Sequence, residues 1–330
     1  MTRVFSGIQP SGDLHLGNYL GALRQWVAMQ DDADAVYCLV DLHAVTVPYD
    51  PQELRTRTLD AATWLLAVGV DPDRSIIFVQ SHVPEHPEMA WVLNCAATMG
   101  ELGRMVQWKE KSGSRGDSVS VGLFDYPVLQ AADIVLYDTD EVPVGDDQRQ
   151  HVELTRDIAQ RVNHRYGEGL LVLPKAVTPR AAARVMDLQH PTNKMSKSAD
   201  SPKGTVLLTD SPDVIAKKIR SAVTDSGTDI RFDPKGKPGI SGLLELMSVA
   251  TARSIDDLCG EYEGQGYGVF KPAVAEAVVE MLRPHQDRYA QLSAAPEHVG
   301  DILADGAAKA RTIASVTLAR VKEAMGFLGR

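Results

Sequence analysis

The chain has 330 residues, a hydrophobic content of 44% and a formal net charge of −10. This negative net charge argues against a general nucleic-acid binder, but it is compatible with a specific RNA partner. No apolar run approaches the roughly 20 residues that cross a bilayer, and the N-terminus lacks a signal-peptide core. The three cysteines are widely spaced, which suits free thiols. We therefore expect a cytoplasmic protein without a disulfide framework or a resident metal site.

The first half of the chain alternates strand-like and helix-like segments. Predicted strands lie at residues 4–8, 35–40 and 75–80, and predicted helices lie at 17–29, 51–68 and 87–97. This alternation is typical of a parallel sheet with right-handed crossovers. Ligands of such sheets bind beyond the carboxyl ends of the strands, where residues 15–18 and 41–43 fall.

The second half has mostly helical spacing. A short apolar run at 142–144 follows a predicted helix at 126–137, and a long predicted helix comes after it and ends at about 163. A second apolar run lies at 206–208. Further predicted helices lie at 212–223, 242–250, 255–261, 271–292 and 297–325. The pattern predicts an α/β protein, with a Rossmann-like parallel-sheet nucleotide-binding domain followed by an all-helical domain.

Residues 15–18, with the sequence HLGN, stand at the start of a predicted helix and follow the loop sequence QPSG at 9–12. Glycine lets a ligand approach the backbone closely, and a helix N-terminus favours phosphate. His15 offers a donor to charge that develops on a phosphate, and Asn18 offers an amide. A capped helix start whose glycines serve a turn is the alternative that these residues leave open.

Residues 194–198, with the sequence KMSKS, lie in a stretch with the composition of a loop. The ammonium groups of Lys194 and Lys197 can meet successive phosphates, and the serine hydroxyls add donors. A solvated lysine loop is the alternative. Met195 argues against it, because a purely solvated loop rarely needs an apolar anchor.

One predicted helix carries a polar face. Tyr126, Gln130 and Asp133 are spaced at i, i+4 and i+7 and share that face, while Leu129 and Leu136 lie on an adjacent stripe suited to the core. A polar face on an otherwise apolar helix predicts the wall of a pocket. For Asp133, an ion pair with a nearby arginine is the alternative.

HLGN together with KMSKS resembles the two signature motifs of class I aminoacyl-tRNA synthetases. Further blocks narrow the resemblance to bacterial tryptophanyl-tRNA synthetases; they lie at residues 5–12, 17–23, 131–134, 142–148 and 221–226. The resemblance implies ATP-dependent activation of L-tryptophan, with Mg²⁺, and transfer to tRNA(Trp). It also implies a homodimer that binds neither DNA nor a membrane.

The resemblance also implies roles for individual residues. It places catalysis on His15, Lys194 and Lys197. It places ATP binding on Gln9, Pro10, Ser11, Gly17, Asn18, Gly145, Asp146, Asp147, Val185, Lys194, Met195, Ser196, Lys197 and Ser198. It places tryptophan binding on Phe5, Gly7, His43, Tyr126, Gln130, Asp133 and Gln148, with Asp133 accepting the indole N–H, which is a donor only.

Two positions carry a reservation. Some members of the family have Met where this chain has Gln130, so an amide replaces a soft apolar contact. Asp146 precedes a predicted helix, so a helix cap is the alternative for its carboxylate. A cap does not account for Asp147 and Gln148 beside it.

The expected organisation has four parts. Residues 1–190 form the catalytic domain, 191–205 the lysine-loop region and 206–295 a helical tRNA anticodon-binding domain; a C-terminal helix at 296–330 packs back on the catalytic domain. An auxiliary or resistance-type synthetase paralogue is one alternative. A tRNA-binding paralogue without catalysis is another, against which the intact motifs argue. A stand-alone nucleotidyltransferase is the third, and the long helical half argues against it.

Overall fold

A computed structural model describes residues 1–112, 119–177, 185–196 and 201–329. Five strands form one sheet: β1 (Thr2–Ile8), β2 (Ala33–Leu39), β3 (Ser75–Val79), β4 (Glu141–Pro143) and β5 (Lys175–Val177). The order is β3-β2-β1-β4-β5, and every neighbouring pair is parallel. The three predicted strands of the first half are confirmed. The run at 142–144 overlaps β4, and β5 was not predicted, because three residues carry too little pattern.

The helices of the first half are α1 (Leu16–Asn18), α2 (Arg24–Met29), α3 (Asp41–Ala44), α4 (Pro51–Ala67), α5 (Glu85–Asn94), α6 (Met99–Leu102), α7 (Val106–Ser112), α8 (Val121–Val135) and α9 (Arg149–Tyr166). A π-helical turn, Tyr19–Leu23, joins α1 to α2. The predicted helix at 17–29 is therefore a continuous helical segment with one wider turn inside it. Helix α8 begins five residues before the prediction, because the Ser120 hydroxyl accepts from Leu123 N–H and caps it.

The second half contains α10 (Pro212–Arg220), α11 (Pro238–Thr251), α12 (Ile255–Glu261), α13 (Tyr267–Ser293) and α14 (Pro296–Ala324). All five predicted helices are confirmed, the one at 255–261 with the same bounds. The apolar run at 206–208 pairs with residues 14–16 through the antiparallel bridge between His15 and Leu207. Across the described ranges, none of the helices has both the length and the apolarity to span a bilayer.

Side chains of β2 alternate between two cores. Tyr37 and Leu39 face the core that contains α4 and the helical half, whereas Val36 and Cys38 face the core that contains α5, α8 and α9. A sheet of parallel strands is buried on both faces in this way. A ligand can therefore bind where the sheet is open, beyond the carboxyl ends of its strands.

The last helix, α14, covers the edge of the sheet at β3. A Cβ atom on Gly306 would lie 1.8 Å from the carbonyl oxygen of Ile77, so only glycine permits this approach. Arg311 Nε lies 3.1 Å from Glu85 Oε1, and Arg320 Nη2 lies 2.6 Å from Asp138 Oδ1. The C-terminal helix therefore packs on the α/β half and protects an edge strand.

Candidate active site

A cavity of about 450 Å³ opens beyond the carboxyl ends of β1 and β4. The chain runs outward from β1 in both directions of the sheet, to β2 on one side and to β4 on the other. The space between β1 and β4 is therefore the switch point at which an open parallel sheet binds its ligand. Helices α1, α2, α3, α7 and α8 contribute further residues to its wall.

The cavity brings together many of the residues that the sequence predicted. Its lining includes Phe5, Gly7, Gln9, Asn18, His43, Tyr126, Gln130, Asp133, Gly145 and Gln148. Other described candidates lie outside the lining: Pro10, Ser11, His15, Gly17, Asp147, Val185, Lys194, Met195 and Ser196. Lys197 and Ser198 lie outside the described residues, as does the side chain of Asp146.

Asp133 is 1% exposed and is held by three side chains. Its Oδ1 accepts from Gln80 Nε2 at 2.6 Å and from His86 Nδ1 at 2.6 Å, and its Oδ2 accepts from His43 Nε2 at 2.8 Å. No arginine is among the described partners of Asp133, so the described contacts do not support the ion pair considered as an alternative. Because a carboxylate oxygen accepts about two bonds, Oδ1 is filled and Oδ2 retains one acceptor position among the described contacts.

The hydrogen-bond directions around Asp133 follow from its charge. A carboxylate only accepts, so His86 Nδ1 carries the proton of that bond. With one proton on the ring, His86 Nε2 accepts from the Tyr137 hydroxyl at 2.7 Å. Burial raises the pKa of Asp133, but the hydrogen bonds from His43 and His86 outweigh it and hold the pKa well below its usual range. Asp133 is thus a fixed, ionised acceptor.

Tyr126 lies on the same face of α8, as predicted. Its hydroxyl is 2.8 Å from Gln107 Oε1 and 2.8 Å from His151 Nε2. Burial raises the pKa of Tyr126 to about 12, so the hydroxyl keeps its proton at neutral pH. The ring also meets His43 edge-on, with centroids 6.0 Å apart.

An amide pair closes the same wall of the cavity. Gln130 Nε2 donates to Gln148 Oε1 over 3.4 Å, and Gln148 Nε2 donates to Asp147 Oδ2 at 3.0 Å. Gln148 occupies the N-cap position of α9. The alternative in which the Asp146 side chain caps that helix concerns a side chain outside the described residues. Gln130 and Gln148 are both half-buried and present polar groups to the cavity.

The HLGN segment forms a capped helix start. His15 Nδ1 accepts from Asn18 N–H at 3.3 Å, and Asn18 Oδ1 accepts from His15 N–H at 3.1 Å. This capping box realises the structural alternative without removing the functional one. Because Nδ1 accepts, Nε2 carries the proton of the singly protonated ring.

Met195 anchors the stem of the KMSKS segment. Its side chain is 1% exposed, and its N–H donates to Val185 O at 2.9 Å. A Cβ on Gly17 would lie 3.7 Å from Met195 Cβ, so the two signature segments touch at this point. Lys194 is exposed and pairs in an antiparallel bridge with Met186. The apolar anchor that the sequence predicted is confirmed.

Four of the residues around Asp133 and Tyr126 were not predicted: Gln80, His86, Gln107 and His151. A signal existed for Gln80, since it directly follows the buried strand β3 and so lies at the ligand edge of the sheet. His86 and His151 lie on helices where a lone histidine carries no pattern. Their role depends on contacts across 47 and 25 residues of sequence.

The sheet is parallel and open at its switch point. The HLGN segment starts the helix at one wall of the cavity, and the KMSKS stem packs on that segment. Together these features define a class I aminoacyl-tRNA synthetase fold. The fold predicted from the sequence is confirmed. Residues 1–283 match the family model described as tRNA synthetases class I (W and Y). The chain belongs to this family.

Similarity extends over the whole chain. A tryptophan–tRNA ligase 2 of Streptomyces avermitilis is 54% identical and covers 99% of this chain and 97% of its own. A tryptophan–tRNA ligase of Caldanaerobacter subterraneus is 52% identical over 100% of both chains. A structure of tryptophanyl-tRNA synthetase from Campylobacter jejuni, complexed with ADP and tryptophan, is 38% identical, covers 99% of this chain and 100% of its own, and superposes with a TM-score of 0.85. The resemblance drawn from the sequence is confirmed.

Proposed function

We propose that the protein is a tryptophan–tRNA ligase. The carboxylate of L-tryptophan attacks the α-phosphate of ATP, which forms tryptophanyl-adenylate and expels pyrophosphate. A hydroxyl of the terminal adenosine of tRNA(Trp) then attacks the acyl carbon, and AMP leaves. The observation that carries the proposal is the fixed carboxylate of Asp133, which has one acceptor position left and lines a cavity at the switch point.

The tryptophan site lies at the α8 wall of the cavity. Asp133 accepts the indole N–H, because indole is only a donor and Asp133 only an acceptor. Phe5, Gly7 and Gln130 enclose the ring, while Tyr126, His43 and Gln148 serve the ammonium and carboxylate groups. A Cβ on Gly7 would lie 2.9 Å from Val40 Cγ1, so a side chain at this position would collide with Val40.

ATP takes the opposite end of the cavity. Gln9, Pro10, Ser11, Gly17 and Asn18 form one side, and Gly145, Asp146, Asp147 and Val185 the ribose and adenine side. Lys194, Met195, Ser196, Lys197 and Ser198 hold the triphosphate. Gln9, Asn18 and Gly145 line the cavity, and the contact between Gly17 and Met195 supports two segments acting on one nucleotide.

Catalysis requires positioning and charge stabilisation but no protein nucleophile. His15 Nε2–H, Lys194 and Lys197 stabilise the charge that moves onto the pyrophosphate. Mg²⁺ would enter with the phosphates of ATP, which supply the oxygen ligands that it prefers. When bound, Mg²⁺ shields the phosphate oxygens.

Transfer to RNA calls for a basic surface in an acidic protein. Residues 186–240 hold 9 Lys or Arg against 7 Asp or Glu, whereas residues 1–100 hold 5 against 12. Lys217 and Arg220 are exposed on α10. The helical half, residues 206–295, reads the anticodon, and tRNA binding that weakens steeply with salt is expected of such contacts.

Tryptophan-dependent exchange of labelled pyrophosphate into ATP tests the first step, and charging of purified tRNA(Trp) tests the second. Exchange is expected with tryptophan and not with tyrosine. Equal exchange with tyrosine would overturn the specificity, and exchange without charging would overturn the ligase function.

A homodimer is the proposed assembly. Three large apolar side chains are exposed on three helices of the α/β half: Trp91 on α5 at 71%, Met99 on α6 at 76% and Val121 on α8 at 80%. Exposed apolar groups of this size are typical of a surface covered by another chain. Light scattering is expected to report twice the chain mass, and Trp91→Asp is expected to report one chain mass. A wild-type monomer at micromolar concentration would contradict the proposal.

The cytoplasmic location stays a prediction. Cys38, Cys95 and Cys259 are free thiols, which suits a reducing compartment. Cell fractionation with a marker of each compartment checks it, and recovery of the protein outside the cytoplasm would contradict it.

A further inference from the structure

Backbone hydrogen bonds join residues that flank the two segments on which ATP is proposed to bind. Leu16 N–H donates to Val206 O at 2.8 Å, and Leu208 N–H donates to Leu14 O at 2.9 Å. Residues 14–16 lead into the helix of Gly17 and Asn18, and residues 206–208 follow the KMSKS segment. The distance between the two segments therefore depends on this short antiparallel pairing.

Gln286 on α13 holds the pairing from the helical half. Its Nε2 donates to Leu208 O at 2.8 Å and to Asp210 O at 2.9 Å, so both amide hydrogens are used. Lys218 Nζ reaches the same turn, at 2.6 Å from Asp210 Oδ2. The segment at 206–210, which follows the KMSKS segment, is thus hydrogen-bonded to α13.

His285, the neighbouring residue, holds the other segment. Its Nε2 lies 2.7 Å from the hydroxyl of Tyr19, which directly follows Asn18, and its Nδ1 lies 3.4 Å from Ala67 O. A carbonyl only accepts, so Nδ1 donates to Ala67 and Nε2 accepts from Tyr19. Tyr19 is 6% exposed and begins the π-helical turn. Two adjacent residues of α13 therefore contact residues that flank both ATP segments.

Helix α13 connects the two halves of the molecule. It packs against α10 and α11 in the helical half and against α4 in the α/β half. Pro284 stands beside His285 and lacks an N–H, so the helix loses a hydrogen bond at this point and bends more easily there. A shift of α13 would therefore move His285 and Gln286 together.

We propose that His285 and Gln286 are positioning residues that set the distance between the two ATP-binding segments, so that the placement of the helical half controls the affinity for ATP. Neither residue lines the cavity, and both act through backbone or hydroxyl groups of the segments. The inference rests on the proposed function for its ligand. It predicts an effect on ATP and little effect on tryptophan, whose site lies on α8 and the ends of the strands.

The test uses Gln286→Met, which keeps the length of the side chain and removes both donors, and Tyr19→Phe, which removes one hydroxyl. The KM values for ATP and tryptophan are measured in pyrophosphate exchange, and ADP binding is measured by calorimetry. For Gln286→Met we expect the KM of ATP to rise about tenfold, the size of losing one to two neutral hydrogen bonds, with the KM of tryptophan unchanged within about twofold. Tyr19→Phe should change ATP in the same direction by less.

Tyr289→Phe is the matched control, since its hydroxyl binds Asp60 on α4 from the same helix and touches neither ATP segment. It is expected to lower the melting temperature and to leave both KM values unchanged. An unchanged affinity for ATP in both test variants, or an equal loss for ATP and tryptophan, would overturn the inference. If wild type binds ADP but shows no exchange, the proposed function fails, while calorimetry of Tyr19→Phe still decides this inference.

Discussion

Gly17 and His15 are in such close contact that a Cβ on Gly17 would lie 2.9 Å from Nδ1 of the His15 ring. The same ring atom accepts the capping hydrogen bond from Asn18 N–H. Glycine at this position therefore keeps the imidazole in its cap and its Nε2–H in a defined direction.

Gly17→Ala is expected to push His15 out of the capping box and to disorder the phosphate side of the ATP site. We expect kcat/KM for ATP to fall by about tenfold to a hundredfold, the cost of one or two hydrogen bonds and a misplaced donor. Pyrophosphate exchange measures it. Gly300→Ala on α14, where a Cβ meets nothing within 4 Å, is the control and should be active. Full activity of Gly17→Ala would show that the ring position is unimportant.

Asp133→Asn is expected to remove the reader of the indole N–H. The wild-type enzyme should prefer tryptophan over benzothienylalanine, which has sulfur in place of N–H, by at least about a hundredfold. The variant should lose most of this preference, because an amide cannot accept from His43, His86 and Gln80 as a carboxylate does. Exchange kinetics with both amino acids measure the ratio. An unchanged ratio would place the indole N–H elsewhere.

Tyr137→Phe is expected to act on Asp133 from a distance. It removes the donor to His86 Nε2 and keeps the ring stacked on Phe5, with centroids 5.6 Å apart. We expect a loss of about 1–2 kcal/mol in the free energy of unfolding and a higher KM for tryptophan, with the KM for ATP unchanged. Thr139→Val, which loses a buried hydroxyl bond to Ile134 O, should cost similar stability without the KM effect. Equal KM effects in both variants would make the Tyr137 contact purely structural.

Stability should depend on pH through Asp133. Its pKa in the folded protein lies below the ordinary value of 3.8, because hydrogen bonds from His43 and His86 outweigh burial. Its contribution is therefore fully present above about pH 5 and is lost as the pH falls below about 4 toward the folded pKa. Urea unfolding of wild type and Asp133→Asn measures it. Their difference in free energy should shrink in acid; a difference that grows would contradict the ionised state.

Gln130→Met tests the amide wall. Among the described residues the Gln130 amide makes one long bond, 3.4 Å, to Gln148, and Gln130 lines the cavity. Replacing it with methionine should change kcat/KM for tryptophan by less than about fivefold, since volume is conserved. The ratio of hydroxytryptophan to tryptophan activation should fall, because a polar ring substituent loses its partner. A ratio that rises would show that Gln130 excludes polar analogues instead.

Local periodicity was enough to predict much of the site. The i, i+4, i+7 spacing placed Tyr126, Gln130 and Asp133 on one face, and all three line the cavity. Their position after predicted strands placed Asn18 and His43 at the carboxyl ends of the sheet, and both line the cavity. These relations span a few residues, so backbone geometry determines them.

The sequence pattern did not predict the long-range contacts. The partners of Asp133 come from the end of β3 and from α5, and the arginine expected as an alternative is not among its described contacts. The run at 206–208 extends no sheet but pairs with residues 14–16, nearly 200 residues earlier. No period in the sequence links such positions, because packing of separate elements brings them together.

The amino-acid sequence by itself determined the class of fold, the two signature segments and the ligand edge, since each follows from short patterns and from the chirality of parallel crossovers. Only the tertiary structure decided that Asp133 is a fixed acceptor, that Gly17 keeps His15 in its cap, and that His285 and Gln286 contact Tyr19 and Leu208 from one helix. A hydrogen bond forms within about 3 Å, and which distant groups meet at that range depends on how whole elements pack.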